Sequence, residues 1–283
     1  KDTLYAADNL GYLYSINLNT KSLIWAKNYG IPFRSNLKLA NGQIFLANQD
    51  NVIYAINAST GNEQWQFATS LTFLKTDFQN NFALDKINNN LLFLNTSGEL
   101  YSINYVTQKI NWVLNFKNSS TFAGDFDLFL SQPILIKKNN FFISTEKTIL
   151  SYNLDTISRN WSFPISTLLK PIITNNYIFI ISKSNLLICL DNKNGEVIWS
   201  KNIFNDLNTS KLRNKIGKFY DFKIVNNEIN LYSKNGYLLS FNFLNGKKNY
   251  LNRISKKGIS SKVFFIKDFM YLFDKNNKLL KYN

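Results

Sequence analysis

Short alternating runs of hydrophobic and polar residues cover the whole chain. In one stretch, residues 43–47 and 52–56 are rich in β-branched and aromatic side chains, and residues 63–67 follow them after a polar turn. Runs of this length, bounded by Asn, Asp, Gly and Ser, predict β-strands. No segment shows a convincing helical period, so the pattern predicts an all-β protein.

The strand pattern repeats along the chain, and every repeat contains an Asn or Asp that closes a strand. These residues are Asn17, Asn57, Asn104, Asn153, Asp191, Asn242 and Asn283. Eight residues after each of the first six stands a large aromatic residue, namely Trp25, Trp65, Trp112, Trp161, Trp199 and Tyr250. Successive Asn or Asp positions are 38 to 51 residues apart, which is the period of a propeller blade.

A fourth strand is expected before the three strands of each repeat. Candidate segments are residues 34–40, 126–137, 168–174, 218–225 and 260–267. The chain is therefore predicted to be a β-propeller of four-stranded antiparallel blades, with seven blades and with eight as the alternative. No Pro-, Gly- or Ser-rich stretch divides it, so residues 1–283 are expected to form one domain.

The repeated polar and aromatic positions suggest structural roles. The closing Asn or Asp is expected to accept a hydrogen bond from its own backbone two residues on. Gly61, Gly195 and Gly246 recur at one offset, where a positive φ would end the turn. The six aromatic residues are predicted to pack one blade against the next, and a stacking platform for a ligand is the alternative.

Two segments carry a resemblance to a known family. Residues 56–65 read INASTGNEQW and residues 190–199 read LDNKNGEVIW. They resemble the repeat of the pyrroloquinoline-quinone-type (PQQ-like) propellers, and the resemblance covers nearly the whole chain. Within that superfamily, residues 3–8 and 280–283 look most similar to the BamB family, the lipoproteins of the outer-membrane β-barrel assembly machinery.

The resemblance implies a non-enzymatic scaffold that assists assembly of outer-membrane β-barrel proteins through protein contacts, with a BamA-like assembly factor as the partner. The corresponding connection between the third and fourth blades, residues 116–132, offers the apolar residues Phe122, Phe126, Leu128, Phe129 and Leu130. The Arg of the family's binding loop is absent, and residues 165–170 contain no acid. Residues 128–130 could instead begin the inner strand of the fourth blade.

The resemblance further implies a place on the periplasmic side of the outer membrane. The first repeat begins without its preceding strand, and the last stops before its aromatic strand. We expect an upstream segment to supply both strands, together with an export signal and a lipid anchor. No apolar stretch approaches the length of a membrane span.

Composition disfavours catalysis. The chain has no His, and its one Cys, Cys189, lies in the apolar run 186–190. No phosphate-binding loop or convincing set of metal ligands is present, so we predict no catalytic residue, cofactor, metal or small-molecule substrate. A quinoprotein dehydrogenase, whose family typically carries a vicinal Cys pair that this chain lacks, and a ligand- or polymer-binding propeller are the alternatives.

Charge is concentrated in the last third of the chain. The net charge is +15, and residues 201–283 contain 17 Lys and Arg against 5 Asp and Glu. Two connections carry the basic patch, which comprises Lys211, Arg213, Lys215, Lys218, Arg253, Lys256 and Lys257. Equivalent connections of successive blades are expected to be neighbours, so the patch would suit an anionic membrane surface or an acidic protein. Nucleic acid is an unlikely partner because few aromatic residues interleave, and plain solvation of loops is the alternative.

Overall fold

Antiparallel β-strands are the main secondary structure of the described chain. The computed structural model describes residues 2–71, 81–116, 129–205 and 210–282. Their strands form seven consecutive sheets, five with four strands and two with three. The predictions of an all-β fold and of seven propeller blades are confirmed.

The chain divides into two compact units, Lys1–Glu146 with Ser151–Ser158, and Lys147–Leu150 with Arg159–Asn283. The first three sheets belong to the first unit. They contain β1 (Thr3–Ala7), β2 (Tyr12–Asn17) and β3 (Leu23–Asn28); β4 (Lys38–Ala40), β5 (Gln43–Ala47), β6 (Val52–Asn57) and β7 (Glu63–Ala68); and β8 (Asn81–Asp85), β9 (Asn90–Leu94), β10 (Glu99–Asn104) and β11 (Lys109–Asn115).

The fourth sheet follows, and the last three sheets belong to the second unit. The fourth contains β12 (Leu135–Lys137), β13 (Asn140–Ser144), β14 (Ile149–Asn153) and β15 (Arg159–Phe163). The others contain β16 (Ile172–Ile173), β17 (Tyr177–Ile181), β18 (Leu186–Asp191) and β19 (Val197–Asn202); β20 (Phe219–Val225), β21 (Glu228–Ser233), β22 (Tyr237–Asn242) and β23 (Lys248–Arg253); and β24 (Phe264–Ile266), β25 (Phe269–Phe273) and β26 (Leu279–Tyr282).

The predicted turns after the closing Asn or Asp are present. Asn57 Oδ1 accepts hydrogen bonds from the backbone N–H groups of Ser59 at 2.9 Å and Thr60 at 3.0 Å. Asn17, Asn104, Asn153 and Asn242 make the same pair of bonds, and Asp191 accepts one from the Lys193 N–H. These six Asx turns confirm the expectation, while Asn283 lies outside the described residues.

A repeated cross-strand pair places five of the six aromatic residues opposite a small one. The pairs are Ser15 with Trp25, Ala55 with Trp65, Ser102 with Trp112, Cys189 with Trp199 and Ser240 with Tyr250. The register shifts directly after each small residue, as in a β-bulge. The small side chain leaves room for the large ring beside it on the same face. Cys189 therefore occupies a repeat position that other blades fill with Ser or Ala.

Four of the five predicted inner strands are shorter than the sequence suggests, whereas β20 (Phe219–Val225) nearly fills the predicted segment 218–225. In the second sheet, Phe33 forms an isolated bridge with Asn48, and β4 begins only at Lys38. Between them the Asn36 side chain bonds both the N–H and the C=O of Phe82 in the third sheet, at 2.8 and 3.0 Å. This side chain therefore ties the inner segment to the neighbouring sheet. The sequence also missed β8 in the third sheet.

One helix interrupts the strands in the described residues. α1 (Ser210–Ile216) precedes β20 and carries Arg213 and Lys215 in its last turn. The sequence did not predict it, because seven residues are too few to show a helical period. Cations near the C-terminus of a helix interact favourably with its macrodipole, which explains why a basic segment can adopt this form.

Candidate functional site

Basic side chains surround a pocket of about 360 Å³ in the second unit. Five of its eight lining residues are cationic: Lys215, Arg253, Lys256, Lys257 and Lys275. The other three are Asn235, Tyr237 and Gly258. The lining comes from the end of α1, the β21–β22 turn with the start of β22, the connection after β23, and the β25–β26 turn. We call this the basic pocket.

The end of α1 is joined to the β21–β22 turn. Asn235 Nδ2 donates a hydrogen bond to the Lys215 carbonyl at 3.0 Å, and the Gly217 N–H closes the helix on the Arg213 carbonyl at 3.1 Å. In the same turn, the Lys234 N–H donates to the Lys218 carbonyl at 2.9 Å. These bonds set the position of the Lys215 backbone relative to the neighbouring turn.

The guanidinium of Arg253 is held from two sides. Its Nη2 donates to the Lys256 carbonyl at 3.0 Å, and its Cζ lies 5.5 Å from the centre of the Tyr237 ring. Ser255 Oγ donates to the Gly258 carbonyl at 2.9 Å within the same connection. The turn that carries Lys256 and Lys257 is thereby closed against the end of β23.

Gly258 allows Lys275, in the β25–β26 turn, to approach the rest of the pocket. Its φ is +83°, and a Cβ at this position would lie 2.5 Å from the Lys234 carbonyl oxygen and 3.0 Å from Lys275 Cε. Only Gly can adopt this backbone conformation without strain and also leave space for both neighbours. The aliphatic part of Lys275 therefore lies over the glycine.

All charged residues that line the pocket are positive. No acidic residue lines it, and none of its five cations forms an ion pair with a carboxylate of the described residues. Lys215, Arg253, Lys256, Lys257 and Lys275 are all exposed at the surface. Such a concave, unbalanced group of cations attracts anions and raises their local concentration.

The structure brings together part of the predicted basic patch. Lys215, Arg253, Lys256 and Lys257 line the pocket, whereas Lys211, Arg213 and Lys218 are exposed outside its lining. Arg213 instead lies over the Phe204 ring, 4.8 Å from its centre.

Sequence reasoning missed Lys275, Asn235, Tyr237 and Gly258. Aligning the turns of the repeats would have found the first two, because Lys275 and Asn235 occupy the turns between the same two strands of successive sheets.

The six repeat aromatics are buried to different depths. Trp161 is 7% exposed, Tyr250 is 37% exposed, and the other four are half-buried. Trp25 and Trp161 donate from Nε1 to the Ala58 and Asn192 carbonyls, both at 3.2 Å. Trp65 and Trp199 have buried Nε1 atoms without a hydrogen-bond partner among the described residues.

The expected partner-binding segment is described only at its end. Phe122, Phe126 and Leu128 lie outside the described residues. Phe129 and Leu130 are half-buried, and Phe129 packs against Gly98, where an added Cβ would lie 3.0 Å from its Cδ2. The Phe129 N–H also donates to the Thr96 carbonyl at 2.9 Å. Phe129 thus anchors the connection to the third sheet.

Three further observations concern reactivity, metal binding and membrane insertion. Burial raises the pKa of the Cys189 thiol to about 12, and Asp191 acts in the same direction. The described residues contain no group of three or more His, Cys, Asp or Glu side chains that could hold a metal ion. In the described parts of the chain, no helix has the length and apolarity needed to cross a membrane.

Comparisons with known proteins identify the family and the fold. The family model of the outer membrane protein assembly factor BamB matches residues 1–201. The crystal structure of BamB from Moraxella catarrhalis is similar, with a TM-score of 0.78 and 12% identity over 99% of this chain and 81% of that chain. The computationally designed Ika8 protein has a TM-score of 0.56 and 9% identity over 100% of this chain and 93% of its own. No curated protein matches by sequence. At such low identities the structural likeness shows the fold alone.

Proposed function

Because the chain belongs to the family of the outer membrane protein assembly factor BamB, we propose that it is a non-enzymatic scaffold for assembly of outer-membrane β-barrel proteins. The family match over residues 1–201 is the observation that carries this proposal. In this proposed role, the protein lies on the periplasmic side of the outer membrane and binds a protein partner, a BamA-like assembly factor. We expect the partner to contact side chains of this chain, and we expect binding to need no cofactor.

The connection that ends in Phe129 and Leu130 is the proposed contact region. Phe129 supports this assignment because its packing on Gly98 ties the end of the connection to the third sheet. We propose Phe122, Phe126 and Leu128 as further contact residues of this connection. Large aromatic residues also contribute most of the binding energy in many interfaces.

A binding measurement with the BamA-like factor of the same organism tests the proposal. We expect the double variant Phe122→Ala/Phe126→Ala to bind at least about tenfold more weakly, the loss expected for one hot-spot residue. The matched control is Phe264→Ala/Phe265→Ala, which removes two phenylalanines that are 41% and 38% exposed on the seventh sheet. The contact assignment is wrong if both pairs bind alike. The scaffold proposal itself is wrong if the wild-type chain does not bind the factor at all.

A quinoprotein dehydrogenase is the second candidate, since PQQ-like repeats also occur in that class. The chain has no His and a single Cys, which is buried, so it lacks the vicinal Cys pair typical of those enzymes. Calorimetric titration with pyrroloquinoline quinone and calcium separates the candidates. The scaffold proposal expects no stoichiometric binding, whereas a complex that oxidises alcohols would replace it.

A further inference from the structure

We propose that the basic pocket is a binding site for a phosphate group, carried either by a soluble phosphate ester or by the headgroup of an anionic lipid. Five cations from three connections converge on it without a carboxylate in its lining. Like charges held close together repel each other, and a bound anion would remove that repulsion. The proposal is independent of the scaffold function, because it concerns the second unit and no contact with a protein partner.

The arginine in the pocket is positioned before any ligand arrives. One of the five guanidinium N–H donors of Arg253 is used on the Lys256 carbonyl, and the face of the group lies against Tyr237. The remaining donors can meet two oxygens of one ligand, which is the geometry that phosphate and carboxylate groups accept. Holding the group in advance reduces the entropy lost on binding.

The lysines add charge around this arginine. Lys256 and Lys257 follow it in the connection, Lys275 lies over Gly258, and Lys215 approaches from the end of α1. A phosphate ester carries up to about two negative charges on three accepting oxygens, so it can use several of these cations at once. A single carboxylate offers one charge and two oxygens. The number of cations therefore favours phosphate.

The shape of the pocket argues against a nucleic-acid strand. Its volume of about 360 Å³ suits a phosphate group with a small organic substituent. The one aromatic ring in the lining, Tyr237, is half-buried and already covered by Arg253. A base would find no open aromatic face on which to stack, and strand binding depends on such faces.

Titration with inorganic phosphate tests the site directly. The full chain is titrated in a calorimeter at low ionic strength, with sodium chloride of equal ionic strength as the reference. We expect saturable binding of one phosphate. The variant Lys256→Gln/Lys257→Gln/Lys275→Gln should weaken it by about tenfold or more, because it removes three charge-assisted contacts. The single variant Lys257→Gln, at an exposed side chain, keeps the test valid should the triple variant fail to fold.

A control variant with the same net charge as the pocket variant distinguishes binding in the pocket from general electrostatic attraction to the protein. The variant Lys193→Gln/Lys247→Gln/Lys262→Gln removes three exposed cations of the same unit that do not line the pocket. We expect its affinity for phosphate to stay within about twofold of the wild type, since the pocket is unchanged. Equal weakening in both triple variants, or heat that never saturates, would overturn the proposal.

Vesicles distinguish the two sources of the phosphate group. Co-sedimentation of the wild type, but not of the pocket variant, with vesicles that contain phosphatidic acid, whose headgroup is a phosphate monoester, assigns the site to a lipid headgroup, with phosphatidylcholine vesicles as the reference of zero net charge. Binding of glycerol phosphate without sedimentation assigns it to a soluble ester. Either result supports a phosphate site. If polyglutamate binds in the pocket more tightly than phosphate does, the ligand is an acidic peptide and the proposal is wrong.

Discussion

The indole ring of Trp25 lies directly on Gly61, so that a Cβ at Gly61 would come within 2.7 Å of Trp25 Cε3. Trp25 Nε1 also donates to the Ala58 carbonyl at 3.2 Å, in the same Asx turn. The contact recurs where Trp161 covers Gly195 and Trp199 covers Gly246, each at 2.6 Å. The aromatic residue of one repeat therefore packs on the Asx turn of the next.

This contact predicts the effect of enlarging the glycine. Gly61→Ala should lower the free energy of unfolding by about 1–3 kcal/mol from the clash alone, beyond the cost of a left-handed backbone. Gly42→Ala is the matched control, because its φ of +71° equals the +70° of Gly61 within a degree while nothing lies within 4 Å of its added Cβ. Urea-induced unfolding measures both. Equal losses in the two variants would mean that Trp25 moves aside at no cost.

The depth of the aromatic residue predicts how much its removal costs. Trp199 is half-buried against Phe179 and Cys189, so Trp199→Ala should cost about 3 kcal/mol, at the lower end for a large aromatic. Tyr250 takes the equivalent position but is 37% exposed, so Tyr250→Ala should cost about 1 kcal/mol. Unfolding midpoints in urea compare the two variants. A larger loss for Tyr250 would contradict this packing role.

Cys189 is predicted to be unreactive in the folded protein. Burial raises the pKa of its thiol to about 12, so almost no thiolate is present near pH 8. Alkylation by iodoacetamide should therefore require unfolding and should rise with urea along the unfolding curve. Rapid labelling without urea would show that the thiol is accessible.

The position of Cys189 in the repeat predicts how a change in its side-chain volume affects stability. Other blades place Ser or Ala opposite their aromatic residue, so Cys189→Ala should cost only about 1 kcal/mol. Cys189→Leu should cost about 1–3 kcal/mol, because the extra volume must displace Trp199. Thermal unfolding of both variants provides the measurement, and a leucine variant as stable as the alanine variant would contradict the expectation.

Glu99 is predicted to make stability depend on pH. Partial burial acts to raise the pKa of its carboxyl, but hydrogen bonds from the Ser70 and Tyr101 side chains, among others, outweigh burial and hold the pKa below its ordinary 4.5. A carboxyl with a lowered pKa in the folded state stabilises the fold above its unfolded pKa, and this contribution disappears as the pH falls through the folded pKa.

The corresponding experiment compares the wild type with Glu99→Gln. The wild type should be the more stable at about pH 7, and the difference should shrink as the pH falls through the lowered pKa of the folded state, because the carboxyl is then protonated in both states. Unfolding midpoints at a series of pH values give the result. A difference that stays constant with pH would show that Glu99 acts only through its shape and hydrogen bonds.

Local chemistry explains why the sequence predicted the fold so well. An Asx turn is made within three residues, as at Asn57, and strand alternation is visible in every run. The spacing between Asn57 and Trp65 recurs because both residues belong to one turn and the strand after it. Four of the five predicted inner strands were predicted too long, because tertiary contacts such as Asn36 with Phe82, which the local sequence does not show, hold part of the predicted segment.

The repeat, the all-β class and the excess of positive charge in the last third could be predicted from the sequence alone, and seven blades were predicted with eight as the alternative. Which of those charges meet depends on tertiary contacts. Lys215 and Lys275 are far apart in the chain, and they come together because Asn235 bonds the Lys215 carbonyl while Gly258 lets Lys275 approach. The order of charged residues along the chain can be seen in the sequence, but a pocket forms only where distant turns are joined by hydrogen bonds and packing.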